Sequence, residues 1–462
     1  MQPQSPQDPL ESHPSRSRRW QPWILTLILT IGLAIRWLAG LQQQPETSMI
    51  ELEDGIEYLA QAKSLLRGKL DDYPRTYQFI RSPLYPLFLV PFEWLTPQEG
   101  REWTPSAKHH LDPPVKISTA MFRAIQAVQC LLSMGAALLV GRIAGQIAGP
   151  TASLLAIGFF SFNPFIVVFA GVVMTETLFL FLLWLSLHEL MRYSRTSGPQ
   201  RWKLLGSASV VLALGCLCRP NLQASLPMVA IWVGWIEWRS SRSFGNSLAA
   251  MTMITVLISA ILLPLMIRNH LRHGELNLSP HYAKAVLAQG HSRYYFGALS
   301  ATNREAYDEN LKLLFRPSNA NSGLPKEQWL DEPREFFREH RREWLILQWL
   351  KAKAFWRPWL NPTVFSSTRV AISAIATVPL FLGGFMSLLI PSIRRHPMTL
   401  LLWGVVVTSY LIGGFLFTAS TRFRIPFLDV AFMVLAAAAF SRLLDRWLPG
   451  SHPALQTRSD HV

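Results

Sequence analysis

The stretch Trp23-Ile24-Leu25-Thr26-Leu27-Ile28-Leu29-Thr30-Ile31-Gly32-Leu33-Ala34-Ile35-Arg36-Trp37-Leu38 is the first long apolar run of the chain. A bilayer-spanning helix needs about 20 mostly apolar residues, and this run with its flanks is long enough. Soon after come Glu53-Asp54, then Tyr58, Ala62, Leu65 and Gly68, and then Arg81-Ser82-Pro83-Leu84-Tyr85-Pro86. An acidic segment directly behind a first span sits at the bilayer surface. A carboxylate held there is placed for chemistry on a lipid-linked substrate.

Similar runs recur to the end of the chain. Half of the 462 residues are hydrophobic, 16% are charged, and there are 17 Trp and 26 Phe. The fold class read from this is an all-α polytopic membrane protein. About ten spans are expected, near 21–40, 119–140, 147–167, 172–190, 204–219, 222–238, 247–267, 369–390, 399–418 and 425–443. The third contains Gly158 and ends near Asn163-Pro164, where a break or re-entrant bend is expected. Arg16, Arg18 and Arg19 precede a run too long for a signal-peptide core and without a small-x-small cleavage site, so it reads as an uncleaved first span.

The net charge of +15 excludes little by itself. No basic domain stands apart from the spans, and nucleic acid is not an expected partner. The charge fits cytoplasmic loops instead. With the N-terminus inside, Gly141-Arg142, the stretch Arg192 to Lys203, Arg239 to Arg242, Arg394-Arg395 and the end bearing Arg442 and Arg446 all fall inside. The expected division is a cytoplasmic tail at 1–20, a membrane domain at 21–443 and a second cytoplasmic tail at 444–462, with 1–15 and 450–462 disordered. Two long segments, 41–118 and 268–368, then lie on the non-cytoplasmic face of the cell membrane. Each carries an amphipathic helix, one ending at Gly68, the other running from Asp331 to Trp356 with Asp331 as its cap. Cys130, Cys216 and Cys218 all lie in apolar runs and give neither a disulfide framework nor zinc spacing.

Several ionisable residues fall at that non-cytoplasmic rim. Glu51, Glu53, Asp54 and Glu57 cluster where a helix begins; on a soluble helix they would only favour its dipole. Glu176, in Met174-Thr175-Glu176-Thr177-Leu178-Phe179, tops the fourth span, where a carboxylate is costly unless it faces a cavity or snorkels. Arg219-Pro220-Asn221, Arg268-Asn269, and Arg422 and Arg424 before Ile425-Pro426 set cations on the side that the positive-inside trend leaves poor in them. An anionic phosphate would explain them, since a planar guanidinium suits it, and so would lipid headgroups. No glycine-rich phosphate loop is present, which disfavours a nucleotide-sugar donor. His109-His110 and His281 lack ligand spacing, so no metal residue is assigned.

On these residues the chain resembles the GT-C glycosyltransferase superfamily, in particular the bacterial branch related to protein O-mannosyltransferases and lipid A aminoarabinose transferases. The resemblance runs from about 21 to 443. It rests on Glu53-Asp54 with Tyr58, Ala62 and Gly68; Arg81-Ser82-Pro83-Leu84-Tyr85-Pro86; Thr175-Glu176-Thr177-Leu178-Phe179; Leu217-Cys218-Arg219-Pro220; Ile267-Arg268-Asn269; and Arg422-Phe423-Arg424-Ile425-Pro426, in that order. It implies a membrane enzyme that moves a sugar from a polyprenyl-phosphate donor to a hydroxyl acceptor on a lipid, glycan or protein, with inversion. Asp54 maps onto the catalytic acid of the family, with Glu53 beside it, and Glu176 onto its second acid. Tyr58, Arg81, Tyr85, Arg219, Arg268, Asn269, Arg422 and Arg424 are the expected substrate-binding residues, with Arg422 or Arg424 on the donor phosphate. The expected partners are that donor, membrane lipids and the acceptor. No cofactor is assigned, and a divalent cation is left open. A transporter or flippase of lipid-linked sugars is the competing class; it would carry its charges near the midplane and pair two halves.

Overall fold

The computed structural model describes residues 16–44, 53–68, 81–96, 117–315 and 326–447. Among them every regular element is helical. Seven helices of the described residues are long and apolar enough to cross a membrane: Gln21–Gln42, Thr119–Ala148, Pro199–Cys218, Phe244–His273, Ser367–Met386, Pro397–Leu416 and Thr421–Asp445. The chain is a multi-pass, all-α membrane protein. Helices lie at all ten expected places, and the three outside that set have local reasons.

The expected third span is a bent pair, Pro150–Phe162 and Pro164–Ala170, with axes 60° apart. Pro164 has no N–H to give the Phe160 carbonyl. The Asn163 side chain takes the amides of Phe165 and Ile166 (3.1 and 3.3 Å), so the Ser161 carbonyl also loses its helical donor. Arg36, fully buried in α1 (Arg16–Gln42), fills the gap: its guanidinium donates to the carbonyls of Phe160 (3.2 Å), Ser161 (2.7 Å) and Gly32 (3.0 Å), while Nε donates to Ser133 Oγ (2.8 Å). Away from water, freed carbonyls need such a donor. The charge inside the first apolar run is thus the price of the bend.

The fourth expected span, Glu176–Arg195, is not apolar enough to pass as a free-standing span. However, 14 of its 20 residues are buried, so protein rather than lipid surrounds it. The sixth, Leu226–Ser241, has only 16 residues and continues a 3-10 turn, Pro220–Ser225. At the centre, Val430 to Ala439 are all buried. This stretch approaches Ser367–Met386 so closely that a Cβ on Gly383 would fall 2.6 Å from that of Ala436.

In the second long segment one expectation needs correcting. The stretch from Asp331 to Trp356 is two helices, Asp331–Glu339 and Arg341–Trp356, parted at His340. Asp331 does not cap; it lies in the first turn behind Leu330. The two halves answer to different neighbours. Glu332 and Glu335 pair with Arg293 (both 3.0 Å), whereas Lys351 and Phe355 bury against the end of the Pro397–Leu416 span. One straight axis cannot serve both. The first amphipathic helix, α2 (Glu53–Leu66), forms as expected, with Gly68 at φ +71° after it. It pairs with α3 (Leu84–Leu95) through Lys63 and Glu93, 3.5 Å apart.

The spans Pro397–Leu416 and Thr421–Asp445 both widen to π-helical turns where they meet, at Tyr410–Leu416 and Ile425–Asp429. Pro426 lies in the second and cannot donate to a normal helical turn. The turn between them, with Arg422, points at the first acidic helix. Such π turns often mark functional positions.

Candidate active site

Asp54 stands in the first turn of α2, one turn ahead of Tyr58 and beside Glu57. Arg81 enters from the segment before α3. It is buried, donates from Nε to Glu57 Oε2 (2.5 Å) and from Nη2 to Asp54 Oδ1, and lies between the rings of Tyr58 and Tyr282, 5.5 Å from each centroid. Gln61 donates to the Arg81 carbonyl (3.2 Å) and fixes the backbone. From the opposite side Arg422 donates through Nη1 to Asp54 Oδ2 (2.9 Å) and through Nε to Glu176 Oε1 (2.8 Å). Glu176 also faces Arg219 Nη1 at 3.5 Å. Arg219 is sandwiched between Phe179 (5.6 Å) and Phe423 (5.5 Å).

The result is one alternating row: Glu57, Arg81, Asp54, Arg422, Glu176, Arg219. Among the described residues three carboxylates meet three guanidiniums, so these six charges cancel. Burial alone would push the Asp54 carboxyl up. The charges of Arg81 and Arg422 outweigh it and hold the group well below the usual carboxylate range.

Beside the row lies a cavity of about 750 Å³. Asp54, Tyr58, Arg81, Arg219 and Arg422 are among its lining residues. Asp54 keeps about a fifth of its side chain exposed, whereas Glu176 is wholly buried and does not reach the cavity. Each carboxylate oxygen has two lone pairs. Asp54 can therefore accept a substrate hydroxyl while both arginines stay bound. Glu176 can act only through Arg422 and Arg219.

The other expected residues are placed as follows. Tyr85 is buried behind Tyr58, with ring centroids 5.1 Å apart, and its hydroxyl donates to Gln129 Oε1 (2.9 Å); it supports the wall and does not line it. Asn269 donates to the Asn277 carbonyl (2.8 Å) and accepts from Arg268 (3.1 Å), and neither lines the cavity. Arg424 turns away, pairs with Asp429 (2.8 Å) and donates to the carbonyls of Phe355 (3.1 Å) and Arg357. Arg422 and Arg424 are thus separate in role: one bridges the acids and the other braces the backbone of the second long segment. The Glu53 side chain and His109-His110 lie outside what is described.

Tyr282, Tyr307, Arg357 and Asn361 also line the cavity and carry no mark in the motifs above. One signal for Arg357 was in view: Arg357-Pro358, between Trp356 and Trp359, repeats the Arg219-Pro220 pattern. Among the described residues no three His, Cys, Asp or Glu side chains gather to hold a metal ion. The carboxylates that do gather do not suit one either, since guanidiniums occupy the positions a cation would take between them.

No protein-family model matches the chain, and no curated protein matches it. Solved structures do. The oligosaccharyltransferase AglB from Archaeoglobus fulgidus, in complex with an inhibitory peptide and a dolichol-phosphate, superposes with a TM-score of 0.53 at 11% identity, over 95% of this chain and 53% of that one. An Archaeoglobus fulgidus oligosaccharyltransferase in the apo form gives 0.55 at 11% identity, over 93% and 51%. A third structure, tethered to an acceptor peptide, gives 0.52 at 11% identity, over 93% and 50%. This chain spans about half the length of the structures it matches. At this identity the likeness concerns the fold alone, which this chain shares with the membrane part of these structures.

Proposed function

We propose that the chain is a membrane glycosyltransferase that moves a sugar from a polyprenyl-phosphate donor to a hydroxyl acceptor, with inversion at the anomeric carbon. The observation that carries this reading is Asp54, ionised and facing the cavity, with one guanidinium on each of its oxygens. The acceptor O–H gives its proton to Asp54 as its oxygen bonds to the anomeric carbon. The bond from that carbon to the phosphate oxygen breaks, and the polyprenyl phosphate leaves with the electron pair. Protonation of Asp54 strips Arg81 and Arg422 of part of their counter-charge while the leaving phosphate gains negative charge. Two fixed cations thus become available in the transition state, which is where electrostatic catalysis acts. Glu176 holds Arg422 throughout.

The cavity belongs, on this reading, to the non-cytoplasmic face of the cell membrane. Glu176–Arg195 starts at the cavity and ends about 30 Å away, at 1.5 Å per residue, in Arg192 and Arg195. Pro199–Cys218 begins there, with Arg201, and returns to Arg219. The basic loop from Arg192 to Lys203 and the cavity therefore lie at opposite ends of these helices, which supports a cavity on the non-cytoplasmic side. The aminoarabinose and mannosyl branch rests on the short motifs alone, and the sugar follows from the experiment. Membranes with and without the protein are given a panel of radiolabelled polyprenyl-phosphate sugars. Label moving from one of them to a non-prenyl product only with the protein supports transfer. Label crossing the bilayer while still on its prenyl phosphate, with no transfer, supports a flippase and ends this reading.

A further inference from the structure

The same cavity has further lining residues. Residues 293–315 and 354–365 bring Tyr307, Arg357 and Asn361 to it, with Leu299, Leu311, Leu314, Leu360, Val364 and Phe365. Arg357 differs from the arginines of the alternating row. Its Nη1 donates to a neutral acceptor, Asn361 Oδ1 (3.2 Å), and its Nε is buried with no hydrogen-bond partner among the described residues. Asp308 also lines the cavity, but its carboxylate pairs with Arg304 (3.3 Å). The Arg357 carbonyl is tied down by Arg424, whose own charge is answered by Asp429. The buried Arg424–Asp429 pair thus fixes the backbone that presents Arg357.

We propose that Arg357, with Tyr307 and Asn361 beside it, is the subsite that takes the phosphate of the lipid-linked donor, and that the leucine and phenylalanine wall around it receives the first units of the lipid. This rests on the transfer reading above and names the place of its donor. Charge supports it: among the described residues the row at Asp54 pairs three carboxylates with three guanidiniums, whereas Arg357 brings a cation whose donors meet only a neutral amide, so an anion gains most there. Burial and the nearby Arg424 charge lower the Arg357 pKa, and an arriving phosphate relieves that strain on the charge. Burial and Asp308 raise the pKa of the Tyr307 phenol, which therefore stays a neutral hydroxyl able to donate. Location agrees as well. Arg357 directly follows Arg341–Trp356, whose Leu345 and Trp349 are 63% and 68% exposed, the composition of a helix lying where lipid headgroups lie.

The test is a binding measurement that does not need turnover. Full-length protein in nanodiscs is titrated with a long-chain prenyl monophosphate, with inorganic phosphate and with phosphatidylglycerol, and the thermal midpoint is followed. Arg357→Met, Arg357→Lys and Asp54→Asn are compared with wild type, and each unliganded midpoint reports folding. The expected result is stabilisation of wild type and Asp54→Asn by the prenyl phosphate. Its affinity falls about 10- to 100-fold in Arg357→Met, as for loss of charge-assisted hydrogen bonds, with partial recovery in Arg357→Lys. Inorganic phosphate is expected to act far more weakly through the same residue. Equal prenyl-phosphate affinity in wild type and Arg357→Met overturns the subsite. So does phosphatidylglycerol acting as strongly as the prenyl phosphate through Arg357, which makes it a headgroup contact. Should Arg357→Met lose binding while Asp54→Asn still transfers sugar, the subsite stands and the assignment of the base falls.

Discussion

Arg422 joins Asp54 and Glu176, residues 368 and 246 positions away in sequence, by donating from Nη1 to the first and from Nε to the second. A planar fork can hold two carboxylates at once, and a lysine ammonium on a flexible stem cannot match that geometry. Arg422→Met leaves Glu176, which is wholly buried, with Arg219 as its one cationic neighbour among the described residues. Removing one partner of a buried pair costs about 3–5 kcal/mol. The low end applies, since a third of the Arg422 side chain faces the cavity. Thermal unfolding in detergent should show this loss for Arg422→Met and a smaller one for Arg422→Lys. Sugar transfer should fall in both.

The pH profile of transfer tests the electrostatics of the site. With its folded pKa held below the usual carboxylate range by two guanidiniums, Asp54 is ionised at every pH near neutrality. Transfer should therefore show no acid limb from Asp54 above about pH 4, the ordinary value for the residue. The same depressed pKa contributes stability above about pH 4 that is lost only as pH falls further. An activity limb centred between pH 5 and 7 that vanishes in an Asp54 variant would contradict this.

Stability on mild acidification should be governed elsewhere, at His291. Burial and the nearby Lys351 push its pKa down to about 4. Between the ordinary value of about 6.5 and about 4, the unfolded chain takes up a proton that the folded chain refuses, so stability falls as pH drops through that window. Lys351, pushed down to about 7 by burial, gives the same sign higher up, with stability rising as pH climbs from about 7 to about 10. The unfolding midpoint measured from pH 4.5 to 7 should slope upward in wild type and less steeply in His291→Gln, where His396, also lowered by burial and by Arg195, keeps part of the slope. An unchanged slope in that variant would remove His291 from the account.

The bend at Asn163-Pro164 depends on Arg36. Arg36→Met leaves the Phe160 and Ser161 carbonyls without a donor, at about 1–3 kcal/mol for each buried group. The variant should unfold earlier in detergent. Ser133→Ala, which removes only the Nε contact, should cost far less.

The fold was legible because it is written in run lengths: ten apolar stretches predicted ten helices, and Asn163-Pro164 predicted the break. Arg36 was passed over because a single charge hardly disturbs the hydropathy of a run. Its reason is the bend it serves, a relation between α1 and a helix more than a hundred residues away. At the site, Asp54, Tyr58, Arg81, Arg219 and Arg422 were each marked by short motifs, and they do meet. Motif order could not tell which groups face the cavity. Glu176 and Arg424 read as rim residues, yet one is buried behind Arg422 and the other is consumed by Asp429 and two carbonyls. That distinction depends on side-chain direction over one helical turn, as with Arg422 and Arg424, which share a motif and point apart. The break at His340 was hidden for a similar reason, since either half alone has a good helical pattern.

The most direct test of the central claim is a single-turnover measurement with the prenyl-phosphate sugar identified from the labelled panel. Wild type and Asp54→Asn, both purified and shown to unfold at similar temperatures, are each saturated with that donor and the rate of product formation is followed. Loss of a general base predicts a rate about 10²–10⁴-fold lower in Asp54→Asn, with donor affinity retained. A rate within a few-fold of wild type would contradict the account.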